Sequence, residues 1–265
     1  MRGRLVWSKQ NGDTRDVLRL FCFPYAGGSS VIYRDWSQQV PGWLHLCAIE
    51  LPGRGLLRNE PPAHSLPALA DELASALYPY TDRPFALFGH SMGAAIAYEV
   101  ACRLEAFGRK QLQMLFVSGA RAPYLPPNRP PMSELPDEAF IDRLRELDGT
   151  PVELLENREL MDYMIPVLRA DFAMCEKYRL QRPNLLRVPV CALYGSEDER
   201  TSTQDVDAWR LLTTGTFSST VFSGGHFFIK SNEEAVVDTV VNELKVLAFD
   251  ERSGVKAGLR CPLSG

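Results

Sequence analysis

Short apolar runs and longer amphipathic stretches alternate along this chain. Leu18 to Phe23 is an apolar run that stops at Pro24, and Leu46 to Leu51 stops at Pro52-Gly53. Phe85 to Gly89, Leu112 to Val117 and Val188 to Tyr194 are three more, and Thr220 to Phe222 is a shorter sixth. Runs of this length, closed by Pro or Gly, predict buried strands. Between them the period changes. Leu66, Leu69, Leu73 and Leu77 have helical spacing, and the alanine-rich Ala94 to Phe107 ends at Gly108, a helix with a glycine stop. Asp205 to Leu212 and Glu233 to Leu247 read as further helices. Strands separated by helices predict an α/β fold, a mostly parallel central sheet with helices on both faces.

One block breaks the alternation. Arg121 to Pro183 holds no convincing strand; it opens on the proline-rich APYLPPNRPP and then reads as helices. Phe140, Ile141, Leu144 and Leu147 share one face, and Met161, Met164, Ile165, Leu168, Phe172 and Cys175 share another. Pro166 is expected to kink that second helix or to mark its start. A helical insertion between two core strands is expected to act as a lid, the alternative being an ordinary excursion packed on the sheet. The expectation is therefore one domain over residues 1–249 with a lid insertion at about 121–183. Residues 250–265 have no periodicity and read as a tail.

Composition narrows the function classes. The 265 residues carry 29 Lys plus Arg against 33 Asp plus Glu, a formal net charge of −4, so no basic excess points to nucleic acid. No apolar run reaches the ~18 residues that span a membrane. Met1 to Asn11 lacks the apolar core of a signal peptide, so a cytoplasmic protein is expected. Cys22, Cys47, Cys102, Cys175, Cys191 and Cys261 form no C-x-x-C pair and several lie in apolar runs, the pattern of buried free thiols. His45, His64, His90 and His226 show no metal-ligand spacing, and neither metal nor cofactor is expected.

The candidate chemistry starts at Gly89-His90-Ser91-Met92-Gly93, a G-x-S-x-G set between an apolar strand and an alanine-rich helix. A turn this tight leaves no room for side chains two residues either side of the serine, so Ser91 is the expected nucleophile on a strained turn. His90, in the variable position, is expected to pack beside the turn rather than move a proton. A serine hydroxyl needs a base, and in this motif's context the order is serine, acid, histidine. His226, in Ser223-Gly-Gly-His-Phe-Phe, is the one histidine after Ser91. The acid should follow a strand: after Tyr194 come Gly195-Ser196 and then Glu197, Asp198 and Glu199. Asp198, a shorter carboxylate three residues past the glycine, suits the turn best. An acid one strand earlier is excluded, since no Asp or Glu occurs between Glu105 and Glu134. A tetrahedral intermediate also needs two backbone N–H donors. Met92 supplies one. The loop Phe23 to Ser30 supplies the other, assigned to Ala26 with Tyr25 as its neighbour.

Together FPYAGGSS (Phe23 to Ser30), LPGRG (Leu51 to Gly55), FGHSMGA (Phe88 to Ala94), GSED (Gly195 to Asp198) and SGGHFF (Ser223 to Phe228) resemble the type II, stand-alone thioesterases of polyketide and non-ribosomal peptide synthesis. The animal medium-chain fatty-acid thioesterase is similar. The resemblance covers residues 18 to 247 and implies an α/β-hydrolase fold with a mobile helical lid. It implies the triad Ser91, Asp198 and His226, with oxyanion donors at Ala26 and Met92. The implied activity is hydrolysis of acyl groups from the phosphopantetheine arm of carrier proteins, as removal of aberrant units in antibiotic-type biosynthesis. Release of finished fatty acids is the alternative. An acyl or peptidyl carrier protein is the implied partner, with the chain acting as a monomer. Four of the seven methionines lie in the insertion, and thioether side chains adapt to varied apolar shapes. Met161, Met164, Leu168 and Phe172 are accordingly expected at the wall of the acyl chamber, with fixed core packing as the alternative.

Two other classes remain on the same residues. A general carboxylesterase would share the triad, although lipases often carry an HGGG-type oxyanion loop where this chain has PYAGG. A non-catalytic receptor tends to lose a triad member, and none is missing here.

Overall fold

The apolar runs become one seven-stranded sheet in the computed structural model, which describes residues 4–7, 18–109, 111–147, 149 and 152–250. The strands are β1 (Leu5–Trp7), β2 (Leu18–Phe23), β3 (Leu44–Ile49), β4 (Phe85–His90), β5 (Leu112–Ser118), β6 (Val190–Gly195) and β7 (Phe217–Phe222). Their order across the sheet is β1-β3-β2-β4-β5-β6-β7; all neighbours are parallel except β1, which runs antiparallel to β3. The helices are α1 (Trp36–Gln39), α2 (Leu66–Leu77), α3 (Met92–Ala106), α4 (Asp137–Glu146), α5 (Val152–Leu155), α6 (Arg158–Lys177), α7 (Thr203–Asp207), α8 (Phe228–Ser231) and α9 (Glu233–Asp250).

Burial on both faces explains why the inner strands read as continuous apolar runs. Every residue of β4 is buried. Its alternate residues divide between two cores: Leu87 joins Phe21, Leu115 and the apolar faces of α2 and α3, while Ala86 and Phe88 join Leu20, Phe116 and Val236, Val240 and Leu244 of α9. The layers are those of the α/β-hydrolase fold that the resemblance implied.

The structure moves several boundaries for physical reasons. β1 was not foreseen: three residues carry no readable period, and it forms by pairing Leu5, Val6 and Trp7 with Ile49, Ala48 and Cys47. β6 starts at Val190 rather than Val188, because Pro189 has no N–H to give a ladder. Pro166 lies inside α6 instead of starting it. Pro166 has no N–H to give the Asp162 carbonyl, and both residues are exposed.

Helices α4 to α6 fill the connection from β5 to β6 and carry their own small core of Met132, Phe140, Leu144, Leu155, Met161, Ile165 and Leu168. Cys22, Cys47 and Cys191 are buried free thiols, and Cys102 and Cys175 are free and half-buried. Cys261 and the expected tail from residue 251 onward lie outside the described residues. Among the described residues no helix is long and apolar enough to cross a membrane, and no cluster of side chains could hold a metal ion.

Candidate active site

The ends of β2, β4, β6 and β7 converge on Ser91. The parallel register places Phe23 beside Gly89 and His90 beside Ser118, so the loops that follow these strands open on one edge of the sheet. Ser91 links β4 to α3 with φ +54° and ψ −116°, the one non-glycine residue with positive φ among the described residues. Its neighbours must be glycine for a concrete reason. A Cβ on Gly89 would lie 2.0 Å from the Gly93 carbonyl oxygen, and one on Gly93 would lie 2.2 Å from the Phe23 carbonyl oxygen.

The three expected side chains come together. His226 Nε2 is 3.0 Å from Ser91 Oγ, and His226 Nδ1 is 2.8 Å from Asp198 Oδ2. They are drawn together by backbone bonds that continue past the strands: the Ser196 N–H donates to the Phe222 carbonyl and the Glu197 N–H to the Gly224 carbonyl. Asp198 is buried beside His226 while Glu197 and Glu199 are exposed. Burial works to raise the Asp198 carboxyl, but hydrogen bonds from His226, the Arg200 N–H and Thr201 outweigh it and hold the group below the usual carboxylate range. An ionised carboxylate only accepts, so His226 Nδ1 carries the proton and Nε2 is left to accept from the Ser91 hydroxyl.

His90 sits beneath this arrangement. It is fully buried, its Nδ1 is 2.9 Å from Ser118 Oγ, and its ring centroid lies 5.2 Å from that of His226. Burial, reinforced by His226 and Lys230, holds it well below the usual imidazole range, so it is neutral. It packs beside the turn, as its position in the motif suggested.

Ser91 opens into a cavity of about 410 Å³ whose lining includes Tyr25, Ala26, Met92, Phe172 and His226. Met92 is the first residue of α3, so its N–H has no partner within the helix. A second cavity of about 220 Å³ adjoins the first at Ala26, Phe172 and Phe227, and Met164 and Leu168 line it. Met161 lines neither. That expectation is corrected: Met161 is buried in the core that the insertion makes for itself, with Phe140 and Leu144 of α4 and Leu155 of α5.

Two residues near the site were missed in the sequence. Arg54 stands in the LPGRG stretch without an assigned role. Asp171 stands on the buried face of α6, three residues after Leu168, where a lone carboxylate among apolar positions was the available signal. The two form a buried ion pair.

The thioesterase domain family matches residues 18–244. The linear gramicidin dehydrogenase LgrE of Brevibacillus parabrevis is 40% identical over 85% of this chain and 87% of its own. The gramicidin S biosynthesis protein GrsT of Aneurinibacillus migulanus is 36% identical over 89% of this chain and 93% of its own. Among solved structures, RedJ, a thioesterase from the prodiginine pathway of Streptomyces coelicolor, has a TM-score of 0.79 and 38% identity, covering 85% of each chain.

Proposed function

This chain belongs to the thioesterase family, and from that membership we propose that Ser91, His226 and Asp198 hydrolyse acyl thioesters carried on the phosphopantetheine arm of a carrier protein. The chain is a thioester hydrolase; the assignment of residues and of the carrier is our reading. The observation that carries it is the unbroken contact from Ser91 Oγ through the His226 ring to Asp198. Ser91 Oγ attacks the thioester carbonyl carbon while His226 Nε2 takes its proton, and Asp198 stabilises the imidazolium. The carbonyl oxygen becomes an oxyanion between the Ala26 and Met92 N–H groups. Collapse breaks the carbon–sulfur bond, His226 protonates the departing thiol, and the acyl group stays on Ser91. Water, deprotonated by His226, then attacks the ester; the free acid leaves and Ser91 regains its proton. One copy of the chain supplies every group this needs.

The carrier comes from the biosynthetic pathways in which GrsT and RedJ are named. Two cavities that adjoin at Ala26, Phe172 and Phe227, with Ser91 on the wall of the larger, suit a substrate with two parts, an acyl group and a thin arm. With a fixed short acyl group, kcat/KM should fall from acyl-carrier protein to acyl-CoA and again to the aryl ester, by about tenfold or more across the series. Equal rates on carrier and aryl ester would remove the carrier from the proposal and leave an esterase. A strong preference for long acyl chains would replace removal of aberrant units by product release.

Phe172 lies where both cavities meet and touches Phe140 of the insertion edge to face. Phe172→Ala should therefore change acyl-length preference more than it changes turnover of an acetyl thioester. Rates across acetyl, hexanoyl and decanoyl thioesters measure this. A fall in melting temperature with an unchanged length profile would make Phe172 packing alone.

A further inference from the structure

The loop that offers the Ala26 N–H is held from outside the sheet. Residues 25 to 28 form a turn in which the Gly28 N–H donates to the Tyr25 carbonyl at 2.9 Å, and Gly27 at the third position has φ +76°, as a type II turn requires. Tyr25 C=O and Ala26 N–H belong to one peptide unit, so this bond fixes the direction in which the Ala26 N–H points. Two further hydrogen bonds of the turn lead to Arg54 and Asp171. The Gly27 N–H donates to Asp171 Oδ2 at 2.8 Å, and the Gly28 carbonyl accepts from Arg54 Nη1 at 3.2 Å. Arg54 and Asp171 grip each other at both ends of their forks, Nη1 to Oδ2 at 2.5 Å and Nη2 to Oδ1 at 2.8 Å. Arg54 Nε donates to the Pro52 carbonyl, which keeps the guanidinium plane in place. Asp171 is a residue of α6, and the side chain one turn before it, Leu168, packs so closely on the loop that a Cβ on Gly27 would lie 2.4 Å from its Cδ2.

We propose that Arg54 and Asp171 are a positioning pair that sets the oxyanion loop from the helical insertion, so that the Ala26 N–H is aligned for the transition state only while α6 is seated. The inference rests on the reading of Ser91 and Ala26 given above. Arg54 is 7% exposed and Asp171 1%, and a buried ion pair is a poor device for stability alone, because desolvation offsets most of its attraction. Here its use is geometric: five hydrogen bonds converge on two side chains and fix the Gly27 N–H and the Gly28 carbonyl, and the turn's own bond from the Gly28 N–H carries that hold to the Tyr25–Ala26 peptide. Since α6 also carries Leu168 and Phe172 of the cavity walls, a shift of that helix is transmitted to the oxyanion donor through Asp171. The two residues touch no reacting atom; they act through the loop.

The test separates the transition state from the ground state in Asp171→Asn and Arg54→Lys, the second keeping the charge but losing the fork. Each is assayed on an acyl-CoA, and with two analogues of the same acyl length. A trifluoromethyl ketone adds to Ser91 and places an oxyanion, whereas an unreactive thioether does not. Both variants should lose about 10- to 100-fold in kcat with KM within about twofold. Ketone affinity should weaken by the same factor as kcat, and thioether affinity should stay as in the parent. Lysine should give no rescue, because one ammonium cannot make the four bonds of the guanidinium. Wild-type kcat in either folded variant, or equal weakening of both analogues, overturns the proposal. If Asp171→Asn does not fold, Arg54→Lys decides alone, with rates normalised to the Ser91 titrated as active. Ser91→Ala is run beside them: wild-type hydrolysis there would overturn the reading of the site itself, whatever the pair does.

Discussion

Ser91→Ala and His226→Ala should each lower kcat by about 10⁵- to 10⁶-fold, and the double variant should be no slower than the worse of the two. The reason is the geometry. The Ser91 hydroxyl is a weak nucleophile without a base, and His226 Nε2, 3.0 Å away, has no other proton to take in the first step. Once either partner is gone the other has nothing left to contribute, so the losses cannot multiply. Asp198→Asn should cost less, about 10³- to 10⁴-fold. An amide can still orient the ring but cannot stabilise its charge, and it can present N–H to Nδ1 and so leave the wrong tautomer at Ser91. Purified variants assayed on one acyl thioester measure all four. A double variant slower than either single by a further factor of a thousand would mean that the two act separately. Near-normal turnover in Asp198→Ala would remove Asp198 from the acid role, and the exposed Glu197 and Glu199 would have to be tested in its place.

How far the sequence could be read depended on the range of the interaction concerned. β2 and α2 end where the apolar period ends, at Phe23 and Leu77, because Pro24 and the glycine-free leucine spacing are local signals. Ser91, His226 and Asp198 were legible for the same reason, each standing beside a turn whose glycines or strand end are written next to it. β7 is the counterexample. Its first residues are a half-buried Phe217 and two consecutive exposed serines on an edge strand, so the apolar run alone caught only its last three residues. Arg54 and Asp171 were illegible in a stronger sense. They are 117 residues apart, and neither has a neighbour in sequence that explains it. Only the packing of α6 over the β2 loop gives them a common purpose. Met161 shows the converse error: the helical face read as one surface all packs in or against the insertion's core, but Leu168 and Phe172 also reach the cavities and Met161 does not.

Gly93→Ala should lower kcat by about 10²- to 10³-fold through a single methyl group. Its Cβ would stand 2.2 Å from the Phe23 carbonyl oxygen and 2.8 Å from that of Pro24, both backbone atoms at the start of the oxyanion loop. Backbone cannot turn aside as a side chain does, so either α3 retreats from β2 or the loop bearing Ala26 moves away from Ser91. Either movement separates the Ala26 and Met92 N–H groups, whose joint approach to one oxygen is what the tetrahedral intermediate needs. Loss of one donor of this kind costs about 10²- to 10³-fold in kcat. Overpacking a tight backbone contact adds about 1–3 kcal/mol of destabilisation. Gly108 supplies the control. It has φ +78° after α3 and nothing within 4 Å of its Cβ position, so Gly108→Ala carries backbone strain without a clash and lies far from the site. It should cost about 1 kcal/mol in stability and leave kcat unchanged. Chemical denaturation and turnover on the same thioester compare the two. Wild-type turnover in folded Gly93→Ala would show that the loop can yield without disturbing Ala26, and the close approach of β2 to the start of α3 would then play no part in aligning the oxyanion donors.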